Sequence, residues 1–256
     1  MSETVRYSPG RNDAEPVGRA SVPMSTPMST PMPTPPQAAA ALIGLMMCLH
    51  CVPLLANEPD ADAAVEAGFT RLFDGKSLAG WEGNESVFRV EEKSIVGGAL
   101  DKPVARNEFL ATTKDYGNFE LRLQVRVRGE GANAGIQIRS RRIPNHHEMI
   151  GYQADVGAGW WGKLYDESRR NKVLAGVNDP QKLEPVLRLD DWNDYVIRCQ
   201  GRRIQLWLNG VQTVDYTEQD GDIERRGLIA VQIHGGPPSE AWYRNIRIRT
   251  LEEGAE

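Results

Sequence analysis

From Gly151 to Arg170 the chain reads GYQADVGAGWWGKLYDESRR, with two adjacent tryptophans between a Gln/Asp pair and a Tyr-Asp-Glu cluster. An exposed indole packs on the C–H face of a pyranose, while Asp, Glu, Asn and Gln bond its hydroxyls, so these residue types at this spacing suit a carbohydrate ligand. Gln153 and Asp155 alternate with Tyr152, Ala154 and Val156, which predicts a strand. Gly157, Gly159 and Gly162 then put Trp160 and Trp161 on a loop, one ring expected to plug the end of the fold and the other to act as a platform.

Other clusters read as structure. His146 and His147, in RRIPNHHEM, have metal-ligand chemistry, but neighbours on a strand point oppositely, which favours an exposed loop. Asp166 and Glu167 are expected to pair with Arg169 and Arg170 as a surface ion cluster. Asp190, Asp191 and Asp194 could supply carboxylates to a structural calcium, yet they lack calcium-loop spacing, so no metal and no cofactor is expected.

The elements that must position these groups have a period of two. In NFELRLQVRVR, Phe119, Leu121, Leu123, Val125 and Val127 alternate with Glu120, Arg122, Gln124, Arg126 and Arg128, as in a strand with one buried face. AGIQIRS turns Ile136 and Ile138 inward and Gln137 and Arg139 outward; GLIAVQIH turns Ile229, Val231 and Ile233 one way and Gln232 and His234 the other. Asn209-Gly210 lies between two β-rich segments, where a tight hairpin needs positive φ at both central positions. FTRLF, SVFRV, SIVGG, EFLAT, WNDYVIRC and WYRNIRIRTL add strands, and no segment sustains a helical stripe. Short strands so spaced predict an all-β antiparallel sandwich or jelly roll.

The chain has 256 residues and a formal net charge of -5, and its basic residues are scattered, which gives no footprint for nucleic acid. Residues 1–37 are rich in Pro, Ser, Thr and Met, a composition expected to stay disordered. Residues 38–56 form an uncharged apolar run ending in Ala56, the pattern of a signal segment cleaved there, with an uncleaved membrane anchor as the alternative. Cys48 and Cys51 fall inside that run as apolar filler, leaving Cys199 as the one cysteine of the mature chain. An acidic spacer covers 57–67, one domain covers 68–251, and 252–256 are a tail. Export to the periplasm or beyond is expected from this layout, with membrane association only if the leader stays on.

The order FTRLFDGKSLAGWEG, FLATTKDYGNFELRLQVRV, NAGIQIRS, GYQADVGAGWWGKLYDESRR, DDWNDYVIRCQGRRIQLWLNG, VQIHGG and WYRNIRIRTL resembles the bacterial 3-keto-disaccharide hydrolase family, also described as 3-keto-glucoside 1,2-lyase/3-keto-2-hydroxy-glucal hydratases, over about Gly68 to Leu251. The resemblance implies a concanavalin/LamG-like jelly-roll β-sandwich acting on sugars already oxidised at C3 by an upstream sugar 3-oxidoreductase. A ketone at C3 acidifies the C2 proton, so a base can remove it, the enolate expels the C1 substituent, and water adds to the double bond. Such chemistry needs no oxocarbenium ion and no fixed carboxylate pair.

On that resemblance Asp155, Glu120 and His234 are candidates for base and acid, unassigned among themselves, and Arg139 for stabilising the enolate. Gln153 and Tyr165 would bind hydroxyls and Trp161 would stack, with Asn133, Gln232 and Trp160 completing the substrate-binding set. Ala134 stands where the family commonly has serine, so no hydroxyl contact is expected there. Two rivals remain: a non-catalytic carbohydrate-binding module built on the same face, and a membrane-tethered adhesion domain.

Overall fold

The computed structural model describes residues 66–252. The disordered leader, the signal-like segment with Cys48 and Cys51, nearly all of the acidic spacer and the end of the tail lie outside the described residues. The strands are β1 (Thr70–Arg71), β2 (Trp81–Glu82), β3 (Phe88–Glu91), β4 (Ser94–Ala99), β5 (Glu108–Tyr116), β6 (Phe119–Arg128), β7 (Asn133–Arg142) and β8 (Met149–Gly157). They continue as β9 (Leu164–Glu167), β10 (Lys172–Ala175), β11 (Asn193–Gln200), β12 (Arg203–Leu208), β13 (Val211–Thr217), β14 (Gly227–Ile233) and β15 (Ser239–Thr250). Helix among the described residues is limited to Pro180–Leu183 and a 3-10 turn, Glu184–Val186.

The strands form two antiparallel sheets. The first runs β13-β12-β11-β6-β15-β4-β3 with β1 beside β15; the second runs β10-β9-β8-β7-β14-β5-β2. Leu121, Leu123 and Val125 of the first meet Ile136, Ile138, Ala154, Val156, Val231 and Ile233 of the second in one buried cluster. Sliding β6 by one residue would turn its whole apolar set to water, at about 1.5–3 kcal/mol per large side chain, which fixes the register. Asn209 and Gly210, at φ 48° and 83°, make the tight turn between β12 and β13.

Two tyrosines of the first sheet tie it to the backbone of the second. The Tyr195 hydroxyl donates to the Asp155 carbonyl at 2.6 Å, and the Tyr243 hydroxyl lies 2.5 Å from the Gln232 carbonyl and 3.2 Å from that of Gly135. Cys199 is a buried free thiol in the same core, and burial pushes it up to about 12.

The β7–β8 hairpin departs from a flat sheet. Ile138 pairs with Tyr152 and Arg141 with Ile150, leaving Arg139 and Ser140 opposite Gly151 as a bulge, with Arg139 at φ 48°. Beyond it the hairpin folds back over the outer face of the second sheet. Arg142 Nη2 reaches the Phe109 carbonyl at 3.2 Å, although Leu228, near the far end of β14, is the partner of Ser140. Met149 packs there with Phe109, Ala111 and Ala230 in a small second apolar cluster.

Candidate functional site

The outer face of the second sheet collects polar side chains into one recess. On β8, Tyr152, Ala154 and Val156 face the core, which leaves Gln153 and Asp155 outward; β7 contributes Gln137 and Asn133, β14 contributes Gln232, and β9 contributes Tyr165 and Glu167. Strand pairing sets Tyr165, Gln153 and Gln137 side by side and puts Asp155 next to Gly135, with Gln232 one strand further. The folded-back hairpin walls one side: Glu148 accepts from Asn107 Nδ2 at 3.1 Å, and His147 Nδ1 lies 3.1 Å from the Asn107 carbonyl.

Gly135 makes the floor flat. A Cβ there would stand 2.4 Å from Gln153 Cδ, so only glycine lets the Gln153 carboxamide lie across β7 and donate to Asp155 Oδ1 at 2.9 Å. Asp155 Oδ2, Glu148 Oε2 and both polar atoms of the Gln232 carboxamide are buried and have no partner in the chain. Buried polar atoms in folded proteins are nearly always bonded to protein or to ordered water, so this group of them forms a polar recess suited to water or to a polar ligand.

The electrostatics point the same way. Burial pushes the Asp155 carboxyl up to about 7; the Gln153 N–H opposes this, Glu167 adds to it and Lys163 opposes it. Burial likewise lifts Glu167 to about 7, reinforced by Glu148 and tempered by the nearby Gln232 carboxamide, which lies close enough to act without a well-formed hydrogen bond. Two carboxyls poised between ionised and neutral at physiological pH can supply an acid and a base. Trp160 is 38% exposed, its ring edge-on to Tyr165 at 6.0 Å and its face under Lys163 Nζ at 5.1 Å. It is the exposed aromatic ring at the edge of the recess.

Several sequence expectations are corrected. Glu120 does face outward, but on β6 of the first sheet, where it bonds Arg122 at 2.6 Å and Arg249 at 3.0 Å with the whole core between it and Asp155. It belongs to an arginine-aromatic surface in which the Arg126 guanidinium lies 4.7 Å from the Trp192 ring and 4.8 Å from that of Trp242. Arg139 leaves the site because the bulge resets the alternation. Its guanidinium bridges the Gly117 and Gly201 carbonyls and Asn118 Oδ1, and burial depresses its basicity. Trp161 is the core plug, buried with Leu164 and Tyr195, and Trp160 is the indole left exposed.

Gln153, Tyr165, Gln232 and Asp155 are brought together as the alternation requires. Asn133 begins β7 at the rim opposite Gly157, and its carbonyl accepts from His234 N at 3.0 Å; the His234 ring is exposed just past β14, with Nδ1 2.6 Å from the Gly235 carbonyl. Of the ion cluster expected at the surface, Asp166 is instead buried and turns inward to Arg169 and Arg170, while Glu167, one residue on, turns outward into the recess. The signal was present in Leu164–Glu167, whose two-residue period separates Asp166 from Glu167. Asp191 caps the Trp192 N–H and Asp194 accepts from Gln124; among the described residues no three His, Cys, Asp or Glu side chains group as an ion site.

The family model of the 3-keto-alpha-glucoside-1,2-lyase-like domain matches residues 68–249, a span that contains every residue of the recess. The chain belongs to this family. As a 3-keto-alpha-glucoside-1,2-lyase-like domain it is a carbohydrate-active, hydrolase-like protein. Among solved structures it is similar to a Parabacteroides distasonis protein provisionally named a glycosyl hydrolase, at 20% identity and TM-score 0.55, over 72% of this chain and 94% of that one. A second protein of that organism, named likewise, matches at 21% and 0.52 over 72% and 99%. The carbohydrate binding module CBM66 from Bacillus subtilis matches at 13% and 0.52 over 67% and 96%. At these identities the likeness is one of fold. No curated protein matches the chain.

Proposed function

We propose that this domain cleaves 3-keto-glycosides by elimination and hydration, with Asp155 as the base. Asp155 Oδ1 is held by Gln153 while Oδ2 is buried without a partner, which is the single observation that best supports a proton acceptor aimed at substrate. Oδ2 takes the C2 proton, and the electron pair of that bond moves toward the C3 ketone. As the enolate collapses, the C1–O bond breaks and Glu167, neutral in part of the population, protonates the departing oxygen. Water then adds to the C1=C2 bond, its hydroxyl to C1 and a proton to C2.

The Gln232 carboxamide, buried and unpartnered, is the group available to donate to the enolate oxygen in place of Arg139. Trp160 packs on the sugar face, with Tyr165, Gln153 and Asn133 bonding hydroxyls and His234 at the rim. The concanavalin-type jelly roll, an upstream sugar 3-oxidoreductase as supplier, export through the segment at 38–56, and independence from metal or cofactor belong to the same proposal.

The second reading is a non-catalytic carbohydrate-binding module, favoured by the exposed Trp160 beside a polar floor. The purified domain, offered a 3-keto-glucoside and its unoxidised parent, separates the two. Release from the oxidised sugar alone, lost in Asp155→Asn with binding intact, supports the enzyme. Binding of both sugars with no release from either supports the module.

A further inference from the structure

The support of Asp155 extends in a single line of three hydrogen bonds through four residues of β7 and β8. Ser140 Oγ donates to Gln137 Oε1 at 2.5 Å, Gln137 Nε2 donates to Gln153 Oε1 at 3.0 Å, and Gln153 Nε2 donates to Asp155 Oδ1 at 2.9 Å. Ser140 and Gln137 are fully buried and Gln153 and Asp155 nearly so, which keeps solvent from competing along the line. A carboxamide has a donor end and an acceptor end, and half a turn exchanges them. With two in series the choice is transmitted: what Gln137 presents to Ser140 decides what Gln153 presents to Asp155. A separation of 2.5 Å suits an O–H···O bond and is too short for N–H···O, so the serine selects the oxygen end of Gln137.

We propose that Ser140 is a positioning residue for Asp155, acting through Gln137 and Gln153 to keep a carboxamide N–H, and not a carboxamide oxygen, against the carboxylate. The inference deepens the reading of Asp155 as base. The reversed line is chemically complete: Ser140 donates to the Ile138 carbonyl, 3.0 Å away, both carboxamides turn, and Gln153 Oε1 faces an Asp155 that must then carry a proton. The observed line favours the carboxylate and the reversed line the acid.

The fold gives Ser140 this position in two ways. The bulge at Arg139 returns Ser140 to the outer face beside Gln137. Gly151, at φ 150°, leaves room for it, since a Cβ there would be 2.2 Å from Ser140 Oγ. The other groups facing Asp155 are Glu167, Tyr165 and Lys163 from β9 and the loop before it, and Tyr195 from β11, bonded to its carbonyl. β7 and β14 present Asn133 and the neutral Gln232, with His234 at the rim.

The test follows the Asp155 carboxyl by isotope-edited infrared titration of substrate-free protein carrying 13C-aspartate, the band being assigned by its loss in Asp155→Asn. Ser140→Ala is expected to raise the midpoint by about one pH unit, the amount one neutral hydrogen bond carries. The acidic limb of kcat/KM on a 3-keto-glucoside should rise with it. Gln137→Leu cuts the line nearer the carboxylate and should give the same shift even if the serine variant fails to fold, and the double variant should shift no further than either single. A midpoint that stays in place while melting temperature and activity fall at every pH, a downward shift, or additive shifts would each overturn the proposal. The infrared titration needs no turnover, so inactivity toward 3-keto-glycosides would count against the proposed reaction and leave the midpoint to decide the role of Ser140.

Discussion

Asparagine in place of Asp155 should make the protein more stable and catalytically dead, and the gain in stability should depend on pH with a known sign. The folded chain holds this carboxyl at about 7 against an ordinary value of 3.8. It therefore binds its proton more tightly folded than unfolded, and stability falls as pH rises from about 4 through 7. A gap of about 3 units at 1.36 kcal/mol each sets a ceiling of about 4 kcal/mol at pH 8. Asparagine carries no ionisation cost and can still accept from Gln153 through Oδ1. The asparagine amide N–H stands where Oδ2 has no partner and gives back about 1–2 kcal/mol, so we expect a gain of about 2 kcal/mol at pH 8, or roughly 4–8 °C in Tm for a domain of this size. At pH 4 the difference should vanish, because the wild-type carboxyl is then neutral when folded. Turnover should fall by about 10²- to 10⁴-fold, the range a general base supplies. Thermal melts of both proteins at pH 4, 6 and 8, run beside a turnover assay, give the answer. A variant no more stable than wild type at pH 8, or a difference that grows toward acid, would refute the reasoning.

Four more substitutions and one mass measurement probe the same geometry. Glu167→Gln should lower kcat by about 10²-fold or more and flatten the alkaline limb of its pH profile, because the group serves while protonated and is lost as pH rises through about 7. Trp160→Ala should raise KM by roughly fivefold with Tm unchanged, as expected of an aromatic contact worth about 1 kcal/mol, whereas Trp161→Ala should cost about 3–5 kcal/mol of stability, read by denaturant titration. Gly135→Ala puts a methyl 2.4 Å from Gln153 Cδ, and kcat/KM should drop as the Gln153–Asp155 bond is displaced, checked by the infrared band of Asp155. Mass spectrometry of exported protein should find a chain starting near Asn57.

Alternation alone made most of the floor legible in the sequence. It put Gln153 and Asp155 opposite Tyr152 and Ala154, and Gln232 opposite Val231 and Ile233, because a period of two is a local property of extended backbone. It failed for Arg139, where one residue at positive φ reverses the count and nothing in AGIQIRS announces the bulge. It was right about the direction of Glu120 and silent about which of two sheets it sits on, since sheet order is set by long-range pairing. Glu167 was hidden among the charges of YDESRR, because the strand that turns it outward, Leu164–Glu167, shows only two periods of alternation before the ion-paired residues that follow. The choice between Trp160 and Trp161 turned on a glycine-rich loop, whose path no periodicity fixes.

In the proposed reaction the C2 hydrogen leaves the sugar before the glycosidic bond breaks. A 3-keto-glycoside deuterated at C2, converted by the enzyme in ordinary water, tests it through the mass of the released 3-keto-sugar. Elimination and hydration predict a product that has lost its deuterium to solvent, with unreacted substrate still labelled. A product that keeps the deuterium at C2 would mean direct displacement at C1 and would contradict the role of Asp155 as base.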